Sequence, residues 1–122
     1  MSNSPTTTAG GDPMGLARMR RAPTHPGTVL AELLRDHHLT QAEAARRLGV
    51  TRAQLNHVRT GLRPMPLSLC VKVAALTSTS AEMWATLQMR HDLWHAMNAP
   101  AVVAALRGIV PIEATDGAAV VA

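Results

Sequence analysis

The chain has 122 residues, a formal net charge of +4 and a sequence pI of ≈ 11.0, enough for one domain with a small core and too short for two of ordinary size. Phe and Tyr are absent, so Leu, Val, Met, Trp84 and Trp94 must fill that core, a composition that suits helices and argues against an all-β domain. The lone Cys70 excludes an internal disulfide, and no apolar run reaches the length of a membrane span or a signal sequence, so a cytoplasmic protein with no membrane contact is expected.

Residues 1–22 are rich in Ser, Thr, Gly and Pro without apolar periodicity, and read as a disordered arm. The arm closes on Arg18, Arg20 and Arg21, which suit phosphate tracking or a minor groove, although its composition equally fits a tail with no specific role. A folded domain is expected over residues 23–97. It opens with His25-Pro26-Gly27, after which Val29, Leu30, Leu33 and Leu34 recur at helical spacing. Pro26 sits at an early position that a helix tolerates.

Thr40 is placed to cap a second helix, with Glu43 as its capping-box partner. From Gln41 to Thr60 the sequence QAEAARRLGVTRAQLNHVRT reads as helix, three-residue turn and helix. Ala45 is small enough for a close helix crossing. Gly49 can adopt the left-handed conformation that ends the first of the pair, and Thr51 can cap the second. Ala44, Leu48, Val50, Leu55 and Val58 supply the buried seam, and a helical wheel adds Leu62 to the inner face. That is the layout of a helix-turn-helix whose second helix enters the DNA major groove.

On that reading, Thr51, Arg52 and Ala53 lie deepest in the groove. Arg52 can pair with guanine O6 and N7, Gln54 or Asn56 with adenine N6 and N7, and Ala53 can touch a thymine methyl; His57 shares the same outer half. Thr40 and Gln41 can bind phosphate through the amides at the start of their helix. Arg46, Arg59, Arg63 and Lys72 are further phosphate candidates. Charge agrees: ten Lys/Arg face three Asp/Glu between Arg18 and Lys72, whereas residues 73–122 carry two basic and four acidic groups. A solvated arginine-rich surface would show the same bias.

Arg63-Pro64-Met65-Pro66 forms a rigid link to a fourth helix at about Leu67–Leu76. Ser80 caps a longer fifth helix. Its apolar residues cover more than one stripe, so Met83, Trp84, Leu87, Leu93, Trp94 and Met97 are expected to meet a second chain. Pro100 follows its end. Residues 98–122 form a tail with a short helix near Val102–Leu106 and irregular structure beyond. The fold expected is all-α: a five-helix, lambda-repressor-like helix-turn-helix domain behind a disordered arm.

Between its His-Pro-Gly start and apolar last helix, the chain resembles the HigA-type antitoxin family, within the phage-repressor-like (Xre) class. The matching blocks are THPGTVLAELL at Thr24–Leu34, LTQAEAARRLGVTRAQLNHVRTG at Leu39–Gly61 and SAEMWATLQMRHDLWHA at Ser80–Ala96. The middle block identifies only the repressor class. His-Pro-Gly together with Trp84, Leu87-Gln88 and Asp92-Leu93-Trp94 is more specific to the antitoxins. The resemblance implies a homodimer on an inverted-repeat operator of double-stranded DNA in its own promoter. It also implies a HigB-type toxin partner, a ribosome-dependent messenger-RNA endonuclease. Some members regulate without a toxin. The proline pair at Pro64 and Pro66 departs from relatives with a looser segment.

The sequence also touches two other functional classes. His91-Asp92-Leu93-Trp94-His95 has the spacing of a zinc-protease helix, but it offers Asp for the usual Glu and no third ligand. No metal, cofactor or enzymatic activity is expected. A helical protein-interaction module would account for the apolar last helix and tail.

Overall fold

The computed structural model describes residues 15–16 and 19–114, and among these it contains helices and no strand. Six α-helices follow in order: α1 (Pro26–Asp36), α2 (Gln41–Leu48), α3 (Arg52–Arg59), α4 (Leu67–Thr77), α5 (Ala81–Asn98) and α6 (Pro100–Leu106), with a 3-10 turn at Ile112–Ala114. The repressor-like all-α fold is as expected, with five domain helices followed by the short helix of the tail. α6 begins at Pro100 rather than near Val102 because proline is pre-shaped for the first helical position. None of the described helices is long and apolar enough to cross a membrane.

Local chemistry sets the boundaries. Thr40 Oγ1 accepts from the Glu43 amide at 3.1 Å, but the Glu43 carboxylate does not return the favour to Thr40. It pairs with Arg46 at 2.8 Å and lies 3.7 Å from Arg47. Gly49 ends α2 in the left-handed region at φ 72°. Ser80 Oγ accepts from the Met83 amide at 3.2 Å to start α5.

One core joins α1 to α5. Leu30, Leu55, Val73 and Trp84 are fully buried in it, packed with Leu34, Ala44, Ala45, Leu48, Val58, Met65, Leu69, Cys70 and Ala74. Each large aliphatic side chain removed from water contributes about 1.5–3 kcal/mol. Trp84 is the largest member, and its Nε1 donates to Thr79 Oγ1 at 2.7 Å. Its expected place on a dimer surface is therefore corrected: the indole completes the monomer core.

The expected disordered arm needs a similar correction near its end. Leu16 is fully buried, and the Met19 carbonyl accepts from Trp94 Nε1 at 2.9 Å. Pro23 O lies 2.8 Å from His91 Nδ1. Met19 and Pro23 are thus both tied to α5. Residues 1–14 and 17–18, Arg18 among them, lie outside the described residues, as do 115–122 of the tail.

Candidate nucleic-acid interface

α3 buries Leu55 and Val58 and turns Arg52, Ala53 and Gln54 to solvent, with Asn56 and His57 half-buried. Leu62, placed on the inner face by the wheel, is 71% exposed. α3 ends at Arg59, and Gly61 turns the chain at φ 80°, so the wheel no longer applies there.

The first turn of α3 is closed by a complete capping box. Thr51 Oγ1 accepts from the Gln54 amide at 3.0 Å, and Gln54 Oε1 accepts from the Thr51 amide at 2.9 Å. This reciprocal pair was legible in the Thr51-x-x-Gln54 spacing, yet only half of it was anticipated. It has a chemical consequence. A bidentate contact to adenine needs the Gln54 oxygen as an acceptor for N6, and that oxygen is already engaged. Only the Gln54 amide nitrogen is left to donate to a base.

Asn56 is committed in the same way. The Arg59 guanidinium sits between two carboxamides, donating to Asn56 Oδ1 at 2.8 Å and, with the Gln41 amide oxygen turned toward it, to Gln41 at 2.8 Å. The side chains of Gln41 and Asn56 are themselves 3.2 Å apart. Gln41 and Arg59, both expected on phosphate, therefore tie the start of α2 to the outer side of α3. Arg52, Ala53 and His57 are the base-reading candidates with no such side-chain hydrogen bond among the described residues.

A groove of ≈ 720 Å³ runs beside α3, lined among others by Ala53, Gln54, His57, Arg63, Ser68 and Lys72. It brings base-reading and phosphate candidates from α3, the following link and α4 to one place. Thr40 and Arg46 do not join it. Thr40 lines a separate cavity with His37, His38 and Arg47, and Arg46 stands on the exterior in its ion pair with Glu43.

His25 is a residue whose role sequence reasoning missed. Its Nδ1 accepts from the Gly27 amide at 2.9 Å, capping α1 in place of the usual Ser, Thr, Asp or Asn. The ring meets His91 edge-on at 5.0 Å, and His91 meets His95 at 4.6 Å. Burial and His91 push the His25 imidazole below its ordinary value, against the pull of Asp92 and of a hydrogen bond to the Arg63 backbone. Burial likewise pushes the Cys70 thiol up. Among the described residues no three or more His, Cys, Asp or Glu are grouped to hold a metal ion.

Of the other residues expected at a dimer contact, Met83 and Leu93 are exposed at 39% and 40%, while Leu87, Trp94 and Met97 are half-buried. Leu87 packs against the core. Met89 and the α6 residues Val102, Val103 and Leu106 are exposed as well.

Residues 30–84 match the helix-turn-helix family model HTH_3. Over 81 residues the chain is 35% identical to virulence-associated protein A' of Dichelobacter nodosus, covering 66% of this chain and 70% of that protein. The fold is similar to that of the Pseudomonas aeruginosa antitoxin HigA solved with the higBA promoter, at TM-score 0.68 and 27% identity, covering 74% of this chain and 98% of the other. It is also similar to Pseudomonas aeruginosa PA4674 solved in complex with its operator DNA, at TM-score 0.66 and 27% identity, covering 74% and 97%.

Proposed function

This chain belongs to the helix-turn-helix family of Xre-like DNA-binding regulators, with HigA-type antitoxins among its structural neighbours, and from that premise we propose that it is an autoregulating repressor and antitoxin. It acts as a homodimer on an inverted repeat in its own promoter, with two α3 helices about 34 Å apart in successive major grooves. Occupying the promoter, it blocks polymerase. A second activity neutralises a messenger-RNA-cleaving toxin.

The observation that carries this reading is the outward face of α3. Arg52 is exposed in its first turn, and Ala53 and His57 line a groove that also presents Arg63 and Lys72. Arg52 can read guanine through a bidentate contact, and the flanking cations can neutralise phosphates on either side. That two similar structures were solved with promoter or operator DNA supports DNA as the partner of this face.

A fluorescence-anisotropy titration against DNA from immediately upstream of the reading frame tests the proposal. Affinity should fall steeply as salt rises, with a slope set by the phosphates contacted. A flat salt response, or no binding, overturns the repressor reading in favour of a protein-interaction module. Co-expression with the neighbouring open reading frame tests the antitoxin half. Growth arrest by that frame alone, relieved by this chain, is expected; no toxicity leaves a stand-alone regulator.

A further inference from the structure

His25 and Gln88, distant in sequence, meet at one short stretch of backbone, the link between α3 and α4. Its Arg63 amide donates to the His57 carbonyl at 3.0 Å. With His25 Nδ1 taken by the Gly27 amide, the ring is fixed at the start of α1 with the Arg63 backbone close enough to act on its electrostatics. The His25 ring also lies against Gly61, where an added methyl would be 3.8 Å from its Cγ. Two residues on, the Met65 amide donates to Gln88 Oε1 at 2.7 Å. Gln88 is 8% exposed, and its Nε2 donates to Asp92 Oδ1 at 2.8 Å. Pro64 and Pro66 lock their own φ angles, and the Met65 side chain is buried in the core.

The link is therefore held at Met65 by a side chain from the middle of α5, while the His25 ring from the start of α1 lies against its Gly61 end and the Arg63 amide is tied to the His57 carbonyl. The Arg63 side chain between these anchors is exposed and lines the groove beside α3. A guanidinium on a free loop would lose side-chain and backbone freedom on docking to phosphate. Fixing the backbone beforehand removes that part of the cost.

We propose that His25 and Gln88 are positioning residues for DNA binding, bracing the link so that Arg63 is delivered to a phosphate beside α3. The inference rests on the DNA-binding reading above and adds to it a coupling between α5 and the nucleic-acid face. Gln88 and His25 touch no DNA in this arrangement. They act through the Arg63 and Met65 backbone.

The test uses the full chain and fluorescein-labelled duplexes tiling the DNA immediately upstream of its reading frame, titrated at several salt concentrations. Arg63→Ala should weaken binding roughly fivefold to tenfold and reduce the slope of log affinity against log salt by about one, as expected for one lost phosphate contact. Gln88→Ala should reproduce both changes, and combining it with Arg63→Ala should add nothing further. Pairing Gln88→Glu with Asp92→Asn reverses the amide–carboxylate bond at constant charge and keeps an acceptor for the Met65 amide, so it should restore both values. His25→Asn keeps an oxygen acceptor for the Gly27 amide but removes the ring from the Arg63 backbone, and should again mimic Arg63→Ala.

Folded Gln88→Ala protein with wild-type affinity and slope overturns the proposal. So do losses that add fully to those of Arg63→Ala, a charge-conserving pair that restores nothing, or Arg63→Ala without effect. Should Gln88→Ala not fold, the paired and His25→Asn variants decide the matter. Wild-type protein that binds no tile overturns the DNA-binding reading itself, a result distinct from all of these.

Discussion

Gly27 packs main chain to main chain against Val58: a methyl group at its Cα would overlap the Val58 carbonyl oxygen and lie 2.8 Å from the carbonyl carbon. This contact sets how closely α1 approaches the C-terminal end of α3. Backbone atoms cannot swing aside as a flexible side chain would. Gly27→Ala should therefore destabilise the fold by about 1–3 kcal/mol, read as a lower urea midpoint with an unchanged m-value.

Arg52 stands exposed in the first turn of α3. On the proposed reading, Arg52→Ala should cost about 1–3 kcal/mol of operator binding and relax the preference at one base pair. Titrating a set of singly substituted operator duplexes checks this. An equal loss on every duplex, random sequence included, would assign Arg52 to phosphate instead.

Trp84 and Leu93 lie on the same helix with opposite fates, one fully buried and the other 40% exposed. Trp84→Ala should remove about 3–5 kcal/mol of folding stability, visible in chemical denaturation of the protein. Leu93→Ala should leave that stability nearly intact. If α5 forms the dimer contact, the Leu93 substitution should shift sedimentation toward the monomer at low concentration, whereas an unmoved dimer would place the contact elsewhere.

Acid should weaken the fold through His25. The buried ring holds its proton less readily than the ordinary value of 6.5, so below that pH the unfolded chain binds a proton that the folded chain resists. This contribution to stability is fully present above 6.5 and is lost as pH falls through the lowered folded value. Protonating Nδ1 would also remove the acceptor for the Gly27 amide. Melting temperatures across this range should decline toward acid, and the decline should be smaller in His25→Asn.

Much of the α2–α3 unit was legible because its signals are local. Gly49 and Thr51 act within one turn of their own position, and a helix stop and a helix cap need no knowledge of the rest of the fold. Gly27 is different. Its small size matters only because Val58, far along the chain, comes to lie against it. Histidine is likewise an unusual cap, and nothing short of the ring's placement reveals the role of His25. α5 presents apolar residues around its circumference, so periodicity could not choose between Trp84 and Leu93. Register against α4 made that choice. The burial of Leu16 was hidden for a related reason, because the few apolar residues around it show no periodicity that singles it out. At the interface, residue types were readable but their prior commitments were not: the oxygens of Gln54 and Asn56 are used within the protein.

The anchoring of α3 has an evolutionary corollary. Leu55 and Val58 secure the rod from within and the Thr51–Gln54 pair secures its leading end, so Arg52 and Ala53 bear almost no structural duty. Exchange at those two sites is nearly free of folding consequence. If these two sites read the bases as proposed, a duplicated copy of this chain can acquire a different target by a pair of substitutions and leave its scaffold untouched. Its sibling then keeps the old address, and cross-talk between them ends without either becoming less durable.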